Sequence, residues 1–301
     1  MSEQTEAHFN ESIHALRRAL DAARKAADWH GEAMALADLA GAYASAGRTA
    51  EAIVYYGQAR EVAESAGACG MAAAMAGSMG LGYAALNQHG EAVRHLRAAL
   101  ALHRQIGDRT GESADLGNLA NALRRSGQLE AALGHYEQAL ELARELGDAR
   151  REAVHLGNLG NLFMQLGRPR EAIGYFRLAV DAAIRVGDAD WEAINVGNMG
   201  LAYRHAGDVE RAARLTRRAL EMHRALDNRA AEAVWLRNLG DLALLRAEGE
   251  ASEDAARSLR EAVAYYQESF ALRRAIDDPR ADESAGALAA AQARLAALEE
   301  A

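Results

Sequence analysis

One five-residue stretch, Leu156-Gly157-Asn158-Leu159-Gly160, constrains the fold more than any other feature, because it recurs at a spacing of forty residues. The copies begin at Leu36, Ala76, Leu116, Leu156, Val196 and Leu236. An unbroken period over six copies is typical of a repeat array, in which each unit packs only on its neighbours. A chain of 301 residues therefore need not divide into separate globular cores.

Recurring turn residues divide each unit into two helices. Gly or Asn follows nine of the predicted helices, and both residues tolerate the left-handed backbone conformation that ends a helix. These residues are Gly47, Gly67, Asn87, Gly107, Gly127, Gly147, Gly167, Gly187 and Gly207. Asp108, Asp148 and Asp188 follow three of the glycines and can cap the next helix. The sequence predicts an all-α fold of about fourteen helices, with about 17 residues in each repeat helix.

The repeat register predicts that residues 1–301 form a single solenoid domain. Residues 5–27 align with the second half of a unit, so they are predicted to form an orphan helix before the first complete unit. Residues 28–227 then hold five complete units of forty residues.

The last part of the chain departs from the period. Residues 228–278 form a sixth unit in which ten extra residues fall within 246–260. Because this insertion is polar and acidic, we expect a longer, mobile loop, followed by a helix at 253–276. Residues 279–301 lack the repeat signature and are predicted to form a capping helix.

The charge balance argues against a general nucleic-acid binder or membrane-surface binder. The net charge is −9 and the pI about 5.6, whereas such proteins usually carry a basic excess. No apolar run reaches the roughly 20 residues that span a bilayer. The start, Met1-Ser2-Glu3-Gln4, lacks the order of basic and apolar residues found in secretion signals. We therefore expect a cytoplasmic protein, and its Ala and Arg content is typical of a GC-rich bacterial genome.

The polar residues form no recognisable catalytic or metal-binding motif. The sequence contains no His-Glu-x-x-His pair, Cys-x-x-Cys pair, phosphate loop or Gly-x-Ser-x-Gly turn. His103 and His223 recur on second helices, where a solvated or cap-adjacent role is expected. The single Cys69 excludes an internal disulfide and is expected to be an ordinary thiol. We accordingly predict a protein that is not an enzyme and holds no metal or cofactor.

The unit resembles the tetratricopeptide repeat. That family has Leu-Gly-x-x-Tyr in its first helix and Ala-x-x-x-Phe in its second. This chain has Leu159-Gly160 and Phe163, followed by Ala172 and Phe176. It departs from the family in lacking the usual Trp and the terminal Pro, and its period is forty instead of thirty-four. The longer period is similar to that of the Pins and kinesin-light-chain type and of bacterial tetratricopeptide arrays.

The resemblance implies a right-handed superhelix whose first helices form a concave, peptide-binding wall. In the Pins type, Asn residues of the first helices contact the peptide backbone, and residues further along the same face set specificity. The Arg residues among them favour ligands with carboxylates. The predicted peptide-binding residues are Asn118, Asn121, Arg124, Arg125, Asn158, Asn161, Gln165, Asn198, Arg204, His205, Arg237, Asn238 and Asp241.

Two interpretations of the Gly-Asn pairs are open from the sequence. In the first, each Asn hydrogen-bonds a neighbouring helix and each Gly permits close packing. In the second, Gly117, Gly157 and Gly197 keep the groove floor clear, while the Asn amides bind a passing peptide backbone. Core packing is the default for Trp235, although it lies close enough to Asn238 to line one end of the groove.

We therefore predict a scaffold or adaptor that binds an extended, acidic peptide segment of a partner protein in its concave groove. One alternative is a peptide-gated bacterial regulator, in which the ligand changes the superhelical pitch and releases a second partner. Another is a self-assembling structural protein that forms a homo-oligomer through its terminal helices. The expected partner is a protein or peptide, and neither nucleic acid nor membrane.

Overall fold

The computed structural model describes residues 3–300, without the side chains of residues 3–5 and 7. The described residues form fourteen α-helices and no strand, which confirms the predicted all-α fold. The ends of the predicted domain, Met1 and Ala301, lie outside the described residues. The helices are α1 (Glu3–Lys25), α2 (Trp29–Ser45), α3 (Thr49–Ser65), α4 (Cys69–Ala85), α5 (His89–Ile106), α6 (Arg109–Arg125), α7 (Leu129–Glu145), α8 (Ala149–Gln165), α9 (Pro169–Val186), α10 (Ala189–His205), α11 (Val209–Ala225), α12 (Arg229–Ala247), α13 (Ser252–Ala275) and α14 (Ala281–Glu299).

The turns between helices follow the predicted punctuation. Gly107 and Gly187 end α5 and α9 with φ angles of 72° and 69°, a conformation in which a Cβ atom would be strained. The other seven predicted helix-ending residues also have positive φ angles. Asp108 accepts hydrogen bonds from the N–H groups of Thr110 and Gly111, at 3.1 and 2.9 Å. Asp188 caps α10 in the same way, by accepting a hydrogen bond from the Trp191 N–H group at 3.0 Å, so local signals set the helix boundaries in these repeats.

The chain divides into two compact units, Met1–Arg151 and Glu152–Ala301. In the first unit, consecutive helices pack around a core that includes Leu20, Leu36 and Leu39. The core of the second compact unit includes Leu220, Leu236 and Leu239. In both compact units, an Ala that recurs every forty residues on the second helices is fully buried, so that neighbouring helices can pack closely there. These residues are Ala59, Ala99, Ala139, Ala179 and Ala219.

The predicted helix at 253–276 is present as α13, but the loop before it is shorter than predicted, because α12 continues to Ala247 and α13 begins at Ser252. The inserted residues lengthen α12 and α13, and only residues 248–251 connect the two helices. Ala255 and Leu259 pack against Ala247, which gives the extra helical turns an apolar core. Arg246 pairs with Glu261, and its Nε atom donates a hydrogen bond to Ser258 Oγ at 3.1 Å. The polar composition of the insertion reflects these contacts between the two helices.

The last helix, α14, packs on α13 through few buried residues. Ser284 and Ala291 are buried, and the Ser269 and Ser284 hydroxyls lie 3.2 Å apart. Leu288, Leu295 and most of the other α14 side chains stay partly or fully exposed. This is the burial pattern of a helix that packs on one neighbour only.

Candidate functional site

The four motif asparagines lie in the middle of first helices, with their side chains half-buried. Asn118 is in α6, Asn158 in α8, Asn198 in α10 and Asn238 in α12. Within the described part of the chain, none of the four side-chain amides makes a hydrogen bond to another protein group. Such an amide has a donor and an acceptor to offer a ligand. The structure therefore does not contain the Asn-to-helix bonds of the first interpretation.

In the second compact unit, residues 152–301, the motif glycines allow helices to pack closely. A Cβ atom added at Gly157 would lie 2.7 Å from Asn195 Oδ1 and 3.0 Å from the ring of Trp191, both in the next first helix. A Cβ atom at Gly197 would overlap the ring of Trp235. The backbone at both glycines is thus buried under side chains of the following unit. Here the prediction that these glycines keep a groove floor clear is wrong.

Trp235 is a core residue, so it does not line the predicted groove. Its side chain is buried, and its Nε1–H group donates a hydrogen bond to Nδ1 of His223 at 3.0 Å. His223 is fully buried, and the structure contradicts a solvated role for it. Because Trp235 packs on Gly197 and bonds His223, it joins α10, α11 and α12.

His103 lies beside a helix cap, as one of its two expected roles required, but it is buried. Its Nδ1 atom is 2.7 Å from Oδ2 of Asp115, and its Nε2 atom is 3.7 Å from the α6 cap, Asp108. Burial raises the pKa of the Asp115 carboxyl, and the hydrogen bond with His103 opposes that rise. The pair connects α5 to α6 and leaves no open face for a ligand.

A second row of polar residues lies three positions after the motif asparagines. Asn121 Oδ1 accepts a hydrogen bond of 2.6 Å from the hydroxyl of Tyr136 on α7. Phe176 takes the place of Tyr136 one unit later, and Asn161 makes no side-chain hydrogen bond in the described structure. One residue of the second helix therefore determines whether this first-helix amide is already paired. Sequence reasoning had missed Tyr136, although the aromatic position of the second helix was visible in the repeat.

The sixth unit contains the strongest charge cluster of the site. Asp241 Oδ2 lies 3.4 Å from Nη1 of Arg204, and Oδ1 lies 3.5 Å from Nε of Arg237. The hydroxyl of Tyr266 donates a 2.7 Å hydrogen bond to the same carboxylate. Burial and this bond to Asp241 raise the pKa of the Tyr266 hydroxyl well above its ordinary value, so the phenol stays protonated. Two guanidinium groups thus face one carboxylate, and the cluster keeps one positive charge in excess.

The remaining predicted residues Arg124, Arg125, Gln165 and His205 do not form a common cluster. Arg125 donates a 2.8 Å hydrogen bond to the side chain of Asn87, the residue that follows α4 with φ of 59°. Arg124 is half-buried near the Tyr136 hydroxyl, and its Nε–H group has no partner. Gln165 and His205 are exposed at the ends of α8 and α10. The structure places Asn118, Asn121, Arg124 and Arg125 in the first unit, and the other nine predicted residues in the second.

The described residues also bear on a metal site and on a membrane span. No group of three or more His, Cys, Asp and Glu residues there is arranged to hold a metal ion. Of the described helices, none combines the length and the apolar character needed to cross a bilayer.

Sequence comparison connects these features to a family. A family profile described as tetratricopeptide repeat matches residues 71–145, 113–185 and 151–225, which together make up about half of the chain. The chain belongs to the tetratricopeptide repeat family. The repeats of this family are generally non-enzymatic interaction modules. No curated protein sequence matches this chain.

Solved structures of low sequence identity share the fold. The tetratricopeptide chain is similar to BtubC from P. vanneervenii, with 21% identity, 73% of this chain and 92% of that chain covered, and a TM-score of 0.63. It is similar to a Rap protein complexed with Competence and Sporulation Factor, with 16% identity, 99% and 89% coverage, and a TM-score of 0.61. A Rap conjugation gene regulator of plasmid pLS20, solved with the Phr* peptide, has 18% identity, 92% and 78% coverage, and a TM-score of 0.58.

Proposed function

We propose that this protein is a non-enzymatic scaffold that binds an extended, acidic peptide segment of a partner protein along its first helices. The observation that carries the proposal is a half-buried, unpaired amide in each of three first helices of the second compact unit, at Asn158, Asn198 and Asn238; Asn118 in the first compact unit has the same surroundings. An Asn costs several tenths of a kcal/mol in a helix interior relative to Ala, and no bond inside the described structure offsets that cost. A peptide backbone can offset it, at roughly 0.5–1.5 kcal/mol for each hydrogen bond.

The charge cluster of the sixth unit supports the acidic part of the proposal. Arg204 and Arg237 share the single carboxylate of Asp241, and neither is close enough for an ideal two-bond pairing. Both Arg side chains are a quarter to a third exposed, and each guanidinium group has five N–H donors, of which Asp241 uses few. A carboxylate of the ligand would complete this cluster and neutralise its excess charge.

The proposal is tested by selecting ligands from a displayed library of random peptides. The wild type is compared with a variant in which Asn118, Asn158, Asn198 and Asn238 are Ala. The matched control replaces four exposed Gln residues outside the predicted site by Ala. These are Gln105, Gln138, Gln267 and Gln292. Circular dichroism first checks that all three proteins have equal helicity.

The selected peptides are expected to be acidic and to bind the wild type and the Gln control with equal affinity. The Asn variant is expected to bind them at least about tenfold more weakly, since several hydrogen bonds of ~1 kcal/mol are lost. Equal binding to all three proteins would refute the role of the amides. Selection of basic or purely apolar peptides would refute the role of Arg204 and Arg237.

A peptide-gated regulator is a second candidate, and one observation favours it. The similarity to the Rap regulator solved with the Phr* peptide covers 92% of this chain and 78% of the regulator. In a gated protein the peptide must bind one of two conformations better than the other. Small-angle scattering with and without a selected peptide tests this, because a rigid scaffold would scatter identically in both states.

A further inference from the structure

A cleft between α1, α2 and α3 contains none of the predicted peptide-binding residues. Its volume is about 750 Å³, within the range of ~300–1,000 Å³ that ligand pockets usually have. The cleft is lined by Arg24, Trp29, Glu32, Leu36, Gln58, Glu61, Val62, Ser65 and Ala66. It therefore combines an apolar floor, an aromatic side chain and three charged groups in one place.

The aromatic wall of the cleft is open to solvent. Trp29 begins α2, and 43% of its surface is exposed, whereas Leu36 on the floor is fully buried. Trp235, in the second compact unit, is by contrast buried against a glycine and a histidine. An exposed indole above a buried Leu provides an apolar surface that a ligand would remove from water.

The charges of the cleft do not cancel. Arg24 Nε and Glu32 Oε1 form an ion pair of 2.7 Å. Glu61 lines the same cleft and makes no side-chain hydrogen bond or ion pair among the described residues. The cleft therefore holds one unneutralised carboxylate together with an indole ring. A carboxylate and an aromatic face both attract organic cations.

The third repeat contains a smaller copy of this cleft. The residues eighty positions later, among them Arg109, Glu112, Glu141 and Glu145, line a space of only about 140 Å³. Arg109 stands where the first repeat has Trp29, and Glu145 stands where it has Ser65; these two residues pair across the opening. Trp29 and Ser65 cannot form that pair, so no ion pair narrows the cleft of the first repeat.

From this contrast we propose that the cleft binds an organic cation with an apolar body, an alkylammonium or alkylguanidinium group. The apolar body lies against Trp29 and the buried floor, and the charge lies next to Glu61. The cation is either a free amine or the side chain of a lysine or arginine, which share this chemistry.

The test uses the indole N–H signals in a ¹⁵N–¹H correlation spectrum. The chain has three Trp residues, so each signal is assigned with one Trp→Phe variant. Phenethylammonium is expected to shift the Trp29 signal saturably and to leave the other two unchanged. Neutral 2-phenylethanol and the anion 3-phenylpropanoate are expected to bind more weakly. A blocked tripeptide with a central Lys distinguishes a peptide side chain from a free amine, depending on which of the two binds more tightly.

Variants then test the residues. Glu61→Gln is expected to weaken phenethylammonium binding about fivefold, the effect of losing one charge at close range in water. Trp29→Ala, followed by the neighbouring backbone signals, is expected to weaken it about tenfold. Glu141→Gln, the matched change in the smaller copy, is expected to have no effect. The double change Arg109→Trp and Glu145→Ser is expected to open a second site, seen as a fourth indole signal that also shifts.

Two results would overturn the proposal. Equal binding of the amine and the alcohol would show a merely apolar cleft, and unchanged affinity in Glu61→Gln would remove the carboxylate from the site. Neither result depends on the proposed peptide groove, because no residue of the cleft belongs to that set.

Discussion

Replacing Gly197 by Ala puts helix propensity and close packing in opposition. Ala is more favourable than Gly in a helix interior by about 1 kcal/mol. The new methyl group would overlap three atoms of the Trp235 ring. That ring is buried and bonded to His223, so it cannot simply move aside. Overpacking of this kind costs about 1–3 kcal/mol, and a rigid ring belongs at the upper end.

The matched control is Gly174→Ala, because no heavy atom lies within 4 Å of the position where its Cβ would be. Gly174 is inside α9 and in the same unit as Gly197. We expect Gly174→Ala to raise the free energy of unfolding by about 0.5–1 kcal/mol, and Gly197→Ala to lower it by about 1–2 kcal/mol. Urea unfolding followed by circular dichroism measures both midpoints, with the slope checked for constancy.

A third variant shows whether the ring causes the loss. Combining Gly197→Ala with Trp235→Leu should give a favourable coupling energy of about 1 kcal/mol or more in a double-mutant cycle, since the smaller side chain makes room for the methyl group. Equal midpoints for Gly197→Ala and Gly174→Ala would contradict the packing argument. A coupling energy near zero would show that the loss arises elsewhere.

Two further predictions concern charge. Asp241→Asn removes the carboxylate that Arg204 and Arg237 share. An acidic peptide selected on the wild type should then bind about fivefold more tightly, the effect of one charge at close range, as measured by fluorescence anisotropy. Weaker binding would contradict the cluster's role. The hydrogen bond from the backbone N–H of Arg151 lowers the pKa of Asp148 in the folded protein. The ionised Asp148 carboxylate therefore stabilises the fold above the ordinary Asp pKa, and this stabilisation is lost as the pH falls. Asp148→Asn should therefore unfold at a temperature that varies less between pH 5 and pH 3, about the range of Asp titration, and an unchanged profile would contradict this.

The sequence allowed the helices to be predicted because each repeat carries the same local signals. The turn at Gly107 followed by Asp108 recurs as Gly187 followed by Asp188, and both aspartates cap a helix in the structure. Local rules of this kind need no knowledge of distant contacts. The same rules overestimated the loop before α13, because the extra turns of α12 and α13 depend on Leu259 packing against the neighbouring helix.

The site was predictable only in part, because contacts between units decide what each polar residue does. The repeat register placed Asn158 and Asn198 correctly in mid-helix, but it could not show that Gly157 lies under Trp191 of the next unit. Nor could it show that Asp241 is shared by Arg204 on the preceding first helix and Tyr266 on the following second helix. Pairings of this kind depend on side-chain directions across helices, which a spacing of forty does not specify.

The second helices offer a way to change the proposed site without touching it. Phe176→Tyr would add a hydroxyl at the position from which Tyr136 bonds Asn121, and would so pair the free amide of Asn161. If Asn161 bonds the ligand, peptide affinity should fall by a factor of about 2–10, the value of one hydrogen bond.

The reverse change, Tyr136→Phe, should free Asn121 and raise the affinity by a similar factor, at the cost of about 1 kcal/mol of stability. Titration calorimetry with a peptide from the library selection measures the affinities, and urea unfolding measures the stabilities. A purely structural role for these amides would change stability in both variants and affinity in neither. Opposite shifts in affinity from two substitutions on α7 and α9 would show that the second helices determine which first-helix amides are available to a ligand.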